Sequence, residues 1–337
     1  MMKAKSTAFD SLNPSQRRAA SFGTAVPDKG VNAGPMLILA GAGTGKTNTL
    51  AHRAAHLALN GVDPARIMML TFTRRAAQEM IRRTQLIVAE VLADRGKAGD
   101  RSVVSRLVWS GTFHSVGNRI LRLYAKHLSL DPNFTVLDRA DAADLMDVVR
   151  HELGFSAKDK RFPRKDACLA IYSYRVNTRL SLKQTLEEQF SWVREWEADL
   201  TRLYREYVAR KQKNRVLDFD DLLLYWHAMM QNPALAQSLS KNFDHVLVDE
   251  YQDTSTLQGE VIQALKPDGQ GVTVVGDDAQ AIYSFRAATV RNILDFPAQF
   301  NPPAEIITLE RNYRSTQAIL AAANGVIGLG RERKSVV

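Results

Sequence analysis

Met36-Leu-Ile-Leu-Ala-Gly-Ala-Gly-Thr-Gly-Lys-Thr47 is the stretch that decides how this chain is read. Met36 to Leu39 is apolar without a polar break, as expected for a strand buried on both faces of a parallel sheet. Ala40 to Gly45 turn the chain. From Thr47 onward, Leu50, Ala54, Ala55, Leu57 and Ala58 fall on a helix. Strand, glycine-rich turn and helix in this order make a loop whose backbone N–H groups can wrap phosphates at a helix N-terminus. Gly41, Ala42, Gly43, Thr44 and Gly45 would line that loop. Lys46 brings a point charge to the β- and γ-phosphates, and the Thr47 hydroxyl is placed for Mg²⁺. Ala40 stands where the pattern usually begins with glycine. A glycine-rich turn alone is more often structural; Lys-Thr and the correct flanks make this one a nucleotide site.

A second segment, Val248-Asp-Glu-Tyr-Gln-Asp253, supplies carboxylates. Adjacent acidic residues are common on solvated surfaces and usually do nothing. These two follow His245-Val-Leu-Val248, a run with strand character, and so sit at a strand's carboxyl end, where open parallel sheets bind ligands. Asp249 would hold Mg²⁺ through water, because that ion keeps part of its hydration shell. Glu250 would polarise an attacking water as general base.

Composition bounds the rest. A chain of 337 residues, 45% hydrophobic, can build two domains or more. No apolar stretch approaches membrane-spanning length, and the polar start Met1-Met-Lys-Ala-Lys-Ser6 lacks the apolar segment of a secretory signal. A single cysteine, Cys168, excludes an internal disulfide framework and a cysteine-rich metal site, which fits a reducing cytoplasm. Lys plus Arg exceed Asp plus Glu by 45 to 36, a net charge of +9, so an anionic partner is expected, nucleic acid first.

Apolar runs alternate with helical stretches over residues 36–122, through Ile67-Met-Met-Leu70, a helix from about Arg74, and Leu107-Val-Trp109. The style resumes over 243–310 with Val246–Val248, Val272–Val275 and Ile306–Leu309. This alternation predicts an α/β fold, a P-loop NTPase with a doubly wound parallel sheet. Between them, about 125–215 shows helical periodicity (Ala140–Leu153, Leu182–Phe190, Trp192–Gln212), as a helical inserted subdomain would. The expected division is therefore 1–124 and 214–302 for one split α/β domain, 125–213 for the insertion, and 303–337 for the start of a further domain. Residues 23–35 and 94–102 read as loops. A basic stretch in the insertion (Lys158, Lys160, Arg161, Arg164, Lys165) could touch duplex DNA, although charge runs are usually solvated faces.

Further segments fall into a known order: Leu12-Asn-Pro-Ser-Gln-Arg-Arg-Ala-Ala20, Thr71-Phe-Thr-Arg-Arg-Ala-Ala-Gln-Glu-Met80, Gly111-Thr-Phe-His114, Asp218-Phe-Asp-Asp-Leu-Leu223, the acidic pair, Val275-Gly-Asp-Asp-Ala-Gln-Ala-Ile-Tyr-Ser-Phe-Arg286, and Leu309-Glu-Arg-Asn-Tyr-Arg-Ser-Thr316. Together they resemble the UvrD/Rep/PcrA-type superfamily 1 DNA helicases, across nearly the whole chain. The resemblance implies a RecA-like motor domain, ATP and Mg²⁺ as cofactors, and a DNA-dependent ATPase. Such a motor moves 3′ to 5′ on single-stranded DNA and at single-strand/duplex junctions, in repair or replication restart. It makes Gln16 the reader of the adenine edge, Tyr313 the residue stacked on adenine, and Gln280 the link from γ-phosphate to DNA-contacting segments. Arg314 becomes a stabiliser of charge on the transferred phosphate. Bases of a single strand stack on aromatic faces while cations track its phosphates. Phe72, Tyr283, Phe285 and Arg286 suit that, with Arg74, Arg75 and His114 as backbone contacts. Phe285 stands where the family usually has Trp, Ala279 where it has an acidic residue, and Ala287 where glycine is frequent.

Family members continue past the Asn-Tyr-Arg-Ser-Thr segment into a second motor domain. This sequence stops at Val337, so the expectation is a chain that binds nucleotide but does not unwind duplex by itself. Two other readings stay open: a non-motor ATP-binding DNA module, and the front of a helicase–nuclease.

Overall fold

The computed structural model describes residues 8–27, 30–94, 106–156 and 162–328. Strands β1 (Thr24–Val26) and β2 (Gly30–Asn32) pair antiparallel, so part of the expected 23–35 loop is a hairpin; residues 95–102 of the other lie outside the described residues. The fold is built on six strands: β3 (Met36–Ala40), β4 (Ile67–Thr71), β5 (Trp109–Thr112), β8 (His245–Val248), β9 (Val272–Gly276) and β10 (Glu305–Leu309). They lie in the order β10-β3-β9-β8-β4-β5, and every neighbouring pair is parallel. Two still shorter strands, β6 (Thr135–Val136) and β7 (Val216–Leu217), form a separate parallel pair.

Side chains of a strand point alternately to opposite faces, and here each face meets its own core. Met36, Ile38, Ala40, Ile67, Met69, Leu247, Val275, Ile307 and Leu309 join Leu50, Ala54 and Val88 from the helices Lys46–Leu59 and Arg74–Asp94. Leu37, Met68, Leu70, Val246, Val248, Val272 and Val274 face the other way, onto Phe113, Ile120, Trp226, Leu257 and Val261. Burial on both sides explains why the inner strands β3, β4, β8 and β9 read as apolar runs, whereas the edge strand β10 leaves Ile306 and Thr308 exposed.

The second core does not stop at the sheet. It runs on through Met146, Cys168, Leu169, Ile171, Leu186, Leu203 and Tyr207 of the helical middle. The β6–β7 pair ties the entry of that insertion to its exit. Of the helical stretches read from sequence, Arg139–Glu152, Leu182–Glu188 and Glu197–Asn214 are α-helices, the last preceded by a 3₁₀ turn Ser191–Trp196. The helix Lys165–Thr178 carried no clean stripe: Cys168, Leu169, Ile171, Tyr172 and Val176 bury one broad face, but Arg175 interrupts it and Ala170 and Tyr174 lie on the opposite side. Of the basic stretch, Lys158, Lys160 and Arg161 lie outside the described residues. Arg164 is an exposed N-cap, and Lys165 is paired with Asp144.

The expected boundary at 302/303 is corrected by β10. Glu305–Leu309 pairs in register with Met36–Ala40, and Ile307 and Leu309 complete the core under the phosphate loop. The strand belongs to the first sheet by its hydrogen bonds, so any further domain begins after it.

Candidate functional site

β3 delivers the chain into the glycine loop. Gly43 and Gly45 both have left-handed backbones, with φ of 79° and 89°, a region in which a side chain is strained. Space is also lacking: a Cβ on Gly43 would lie 2.6 Å from Cβ of Arg314, and one on Gly45 2.7 Å from Nε2 of Gln16. Gly41 has no such demand, its nearest neighbours standing at 3.8 Å. The Thr44 hydroxyl donates back to the Gly41 carbonyl at 2.8 Å and closes the turn. The helix Lys46–Leu59 starts at once, so its first N–H groups are aimed at the loop.

Lys46 is buried and donates to Oε2 of Glu250 at 2.8 Å. The Thr47 hydroxyl donates to Oδ2 of Asp249 at 3.1 Å. Asp249 is buried at the end of β8; burial, and next the charge of Glu250, pushes its carboxyl up to about 6. Glu250 holds a left-handed backbone (φ 51°, ψ 50°), unusual for a residue with a side chain. Thr47 and Asp249 offer two hard oxygens within hydrogen-bond reach, a donor set that fits Mg²⁺ completing its shell from water and phosphate. Among the described residues no cluster of three His, Cys, Asp or Glu could cage a metal.

Two segments from opposite ends of the chain close on the loop. Asn13 caps the helix Pro14–Ala20, and Oε1 of Gln16 accepts from the Asn13 N–H at 3.1 Å. The Gln16 amide then donates to the Thr44 carbonyl at 2.9 Å, so this buried side chain also props the loop. From the other side, the Tyr313 N–H donates to the Gly43 carbonyl at 2.8 Å, and the Asn312 amide donates to the Ala42 carbonyl. Asn312 Oδ1 accepts from the N–H groups of Arg314 and Ser315, which fixes the turn. The Tyr313 ring is exposed beside the loop, its hydroxyl accepting from Asn13, and Arg311 covers the ring at 5.1 Å. Arg314 is exposed. The Gln280 amide donates to Oδ2 of Asp277 at 2.8 Å.

The predicted DNA-facing residues emerge from the same carboxyl edge. Phe72, just past β4, is exposed and stacks on Tyr283 with centroids 5.3 Å apart and planes at 28°. Tyr283 tilts against Phe285, and the Arg286 guanidinium lies 5.6 and 5.5 Å from the two rings. These four and His114 line one cleft of about 730 Å³ between the sheet edge and the helical insertion. His114 meets Phe219 edge-on, and burial pushes its imidazole down to about 4, so it is a neutral hydrogen-bonding ring. Arg74 and Arg75 are exposed at the start of their helix and do not line the cleft.

Sequence reasoning passed over Gln252, Asn312 and Phe219, each sitting inside a motif it had quoted. It also passed over the carboxylates Asp138, Asp220 and Asp253, which line the cleft along with Arg139 and Arg286. Despite the net positive chain, this cleft is aromatic and partly acidic, a surface suited to bases more than to phosphates.

A sequence model of the UvrD/REP helicase N-terminal domain matches residues 18–301. The ATP-dependent DNA helicase UvrD1 of Mycobacterium tuberculosis is 39% identical over 341 aligned positions, 97% of this chain and 40% of the relative. UvrD1 of Mycobacterium bovis matches equally, and the ATP-dependent DNA helicase PcrA of Staphylococcus aureus is 36% identical over 304 positions, 89% of this chain and 39% of its own length. The chain thus spans about two fifths of these relatives. With the loop, the acidic pair and the aromatic edge arranged as above, this chain belongs to the UvrD/REP helicase N-terminal domain family.

Proposed function

We propose that this chain is the ATP-binding motor portion of a DNA-dependent ATPase that drives 3′-to-5′ movement on single-stranded DNA and at junctions with duplex. One observation carries it: the phosphate loop with Asp249 and Glu250, and the Phe72–Tyr283–Phe285–Arg286 group, leave the same edge of one sheet. Lys46 exchanges its pairing with Glu250 for the β- and γ-phosphates. Glu250, freed, accepts a proton from a water whose oxygen attacks the γ-phosphorus as the bond to the bridging oxygen of ADP breaks. Thr47 and Asp249 would hold Mg²⁺, whose charge would offset that on the phosphate oxygens. Arg314 reaches the transferred phosphate once Asn312 has docked its segment. The exposed Tyr313 ring stacks on adenine, and Gln16 offers its remaining amide hydrogen and lone pair to the adenine edge.

Direction and a setting in repair or replication restart come from the ordered motifs alone, and a cytoplasmic location from the single cysteine, Cys168. No helix among the described residues is long and apolar enough to cross a membrane. The test is ATP hydrolysis with and without oligo(dT). Stimulation by DNA is expected, lost in Lys46→Ala and Glu250→Gln. Hydrolysis indifferent to DNA sinks the reading. Duplexes with a 3′ or a 5′ single-stranded tail, offered to a longer form carrying this portion, test direction.

A further inference from the structure

Glu250 needs holding. Its left-handed backbone is strained for a residue with a side chain, and its carboxylate must meet a water at a defined place. Lys46 and Gln252 are the side chains bonded to that carboxylate among the described residues, each at 2.8 Å from Oε2. Lys46 is also the residue that phosphates would draw away. Gln252 then remains.

Gln252 is 1% exposed, so its amide must be satisfied inside the protein. Nε2 donates to Glu250. Oε1 accepts the backbone N–H of Asp277 at 3.1 Å, just past the end of β9. The space for that amide exists because residue 276 is glycine: a Cβ there would stand 2.4 Å from Oε1 of Gln252. Asp277 in turn organises the next turn, accepting from the Ala279 N–H at 3.0 Å and from the Gln280 amide at 2.8 Å. Three residues beyond Gln280 stands Tyr283, stacked on Phe72 in the aromatic cleft.

We propose that Gln252 is a positioning residue: its amide passes the position of the 277–280 turn, set by DNA at Tyr283 and Phe285, to the carboxylate of Glu250. This rests on the reading given under Proposed function. Without nucleotide, Lys46 masks the base. With Lys46 on the phosphates, one rigid amide bridges Asp277 and Glu250, so a base inserted against Tyr283 shifts the turn and aims Glu250 at the water. Gln280 lies on the same turn and is tied to it through the Asp277 side chain, whereas Gln252 is tied through the Asp277 backbone.

Two variants test this from either side. Gln252→Glu keeps the shape and the acceptor for Asp277 but turns the donor facing Glu250 into a repelling oxygen. Gly276→Ala presses on Oε1 without touching nucleotide or DNA. ATP turnover with and without oligo(dT), and mant-ATP binding to show the site is folded, are measured on the whole chain. In both variants the DNA-stimulated kcat should fall at least tenfold, with KM for ATP and mant-ATP affinity within threefold of wild type. For Gln252→Glu the activity relative to wild type at the same pH should rise as the pH falls and the new carboxyl regains a proton to donate, which a packing defect would not produce. Stimulated turnover within threefold of wild type in Gln252→Glu overturns the relay while leaving the motor reading intact. If wild type itself ignores DNA, the motor reading fails and the relay with it.

Discussion

Lys211 offers the sharpest test of how the insertion is fastened to the motor core. It sits in the last turn of the helix Glu197–Asn214, is 2% exposed, and reaches Asp218 at 2.6 Å and Asp221 at 2.7 Å. Tyr207 donates to the same Asp218 oxygen, and the ammonium also lies against the rings of Tyr172 and Tyr207. Asp218 and Asp221 form the capping box that starts the helix Phe219–Met230. Lys211→Met leaves two buried carboxylates without their counterion, at a cost of about 3–5 kcal/mol. Unfolding entropy is ~2.1 cal/mol/K per residue, so each kcal/mol lowers Tm by roughly 1.4 °C in a chain of this length. A drop of about 4–7 °C at pH 7.5 is expected by scanning calorimetry. The pH dependence has a definite sign. Burial, then the charge of Asp218, already holds Asp221 up at about 6, and losing Lys211 raises it further. A carboxyl raised on folding stabilises below its unfolded pKa and loses that stabilisation as pH rises through the folded value. The deficit should therefore shrink as pH falls from 8 to 5. Adding Asp218→Asn and Asp221→Asn should recover most of the loss. A single variant within about 1 °C of wild type, or a deficit that grows on acidification, refutes the reasoning.

Asp249 predicts another pH effect. With its carboxyl raised to about 6 by burial, the site is protonated at pH 5 and able to bind Mg²⁺ at pH 7.5; the thermal shift given by Mg·ADP should grow across that window in wild type and be flat in Asp249→Asn, and equal shifts in wild type at pH 5.5 and 7.5 argue against it. Gly43→Ala, facing a left-handed φ and Arg314 at 2.6 Å, should weaken mant-ADP binding by roughly 5–30-fold, the equivalent of 1–2 kcal/mol of backbone strain. Gly41→Ala, whose Cβ would meet only ordinary contacts at 3.8 Å, should stay within about threefold in the same titration. Phe72→Ala and Phe285→Ala should each weaken oligo(dT) binding by about 1–3 kcal/mol in fluorescence anisotropy, whereas Phe285→Trp retains a stacking face and should bind at least as well. Unchanged affinity in both alanine variants would remove the aromatic cleft from the DNA path.

The parallel sheet was legible because its inner strands are buried on both faces and so read as plain apolar runs: Met36–Leu39, Ile67–Leu70 and Val246–Val248 could hardly be anything else. Gly41 to Thr47 could be placed because a glycine loop between such a strand and a helix has one obvious use. The helix Lys165–Thr178 escaped because Arg175 interrupts its buried face while Ala170 and Tyr174 sit opposite, which blurs the amphipathic stripe. The boundary before β10 was misplaced for a related reason. A strand of five residues carries no mark of which sheet it joins; only its register on Met36–Ala40 assigns it.

Phe72 illustrates the limit for single residues. An aromatic residue after a strand is core more often than not, and its exposure and stacking on Tyr283 emerge only when segments far apart in sequence meet. Gln252 is the clearer case. In the sequence it is one polar residue inside an acidic motif; in the fold its amide bridges Glu250 and Asp277.

By itself the sequence determined the chemistry in reach: a phosphate loop, an acidic pair at a strand end, and the order of segments that resembles a helicase motor. Such features are local, because backbone conformation, charge and periodicity are carried by neighbouring residues. Tertiary structure decided which of them touch. It put Asn13 and Asn312 on either side of one loop, set Glu250 between Lys46 and Gln252, and faced the aromatic edge with the insertion. The contacts of Lys46 with Glu250 and of Asn13 with Tyr313 join residues 204 and 300 positions apart, and only the packing of two cores on one sheet selects them.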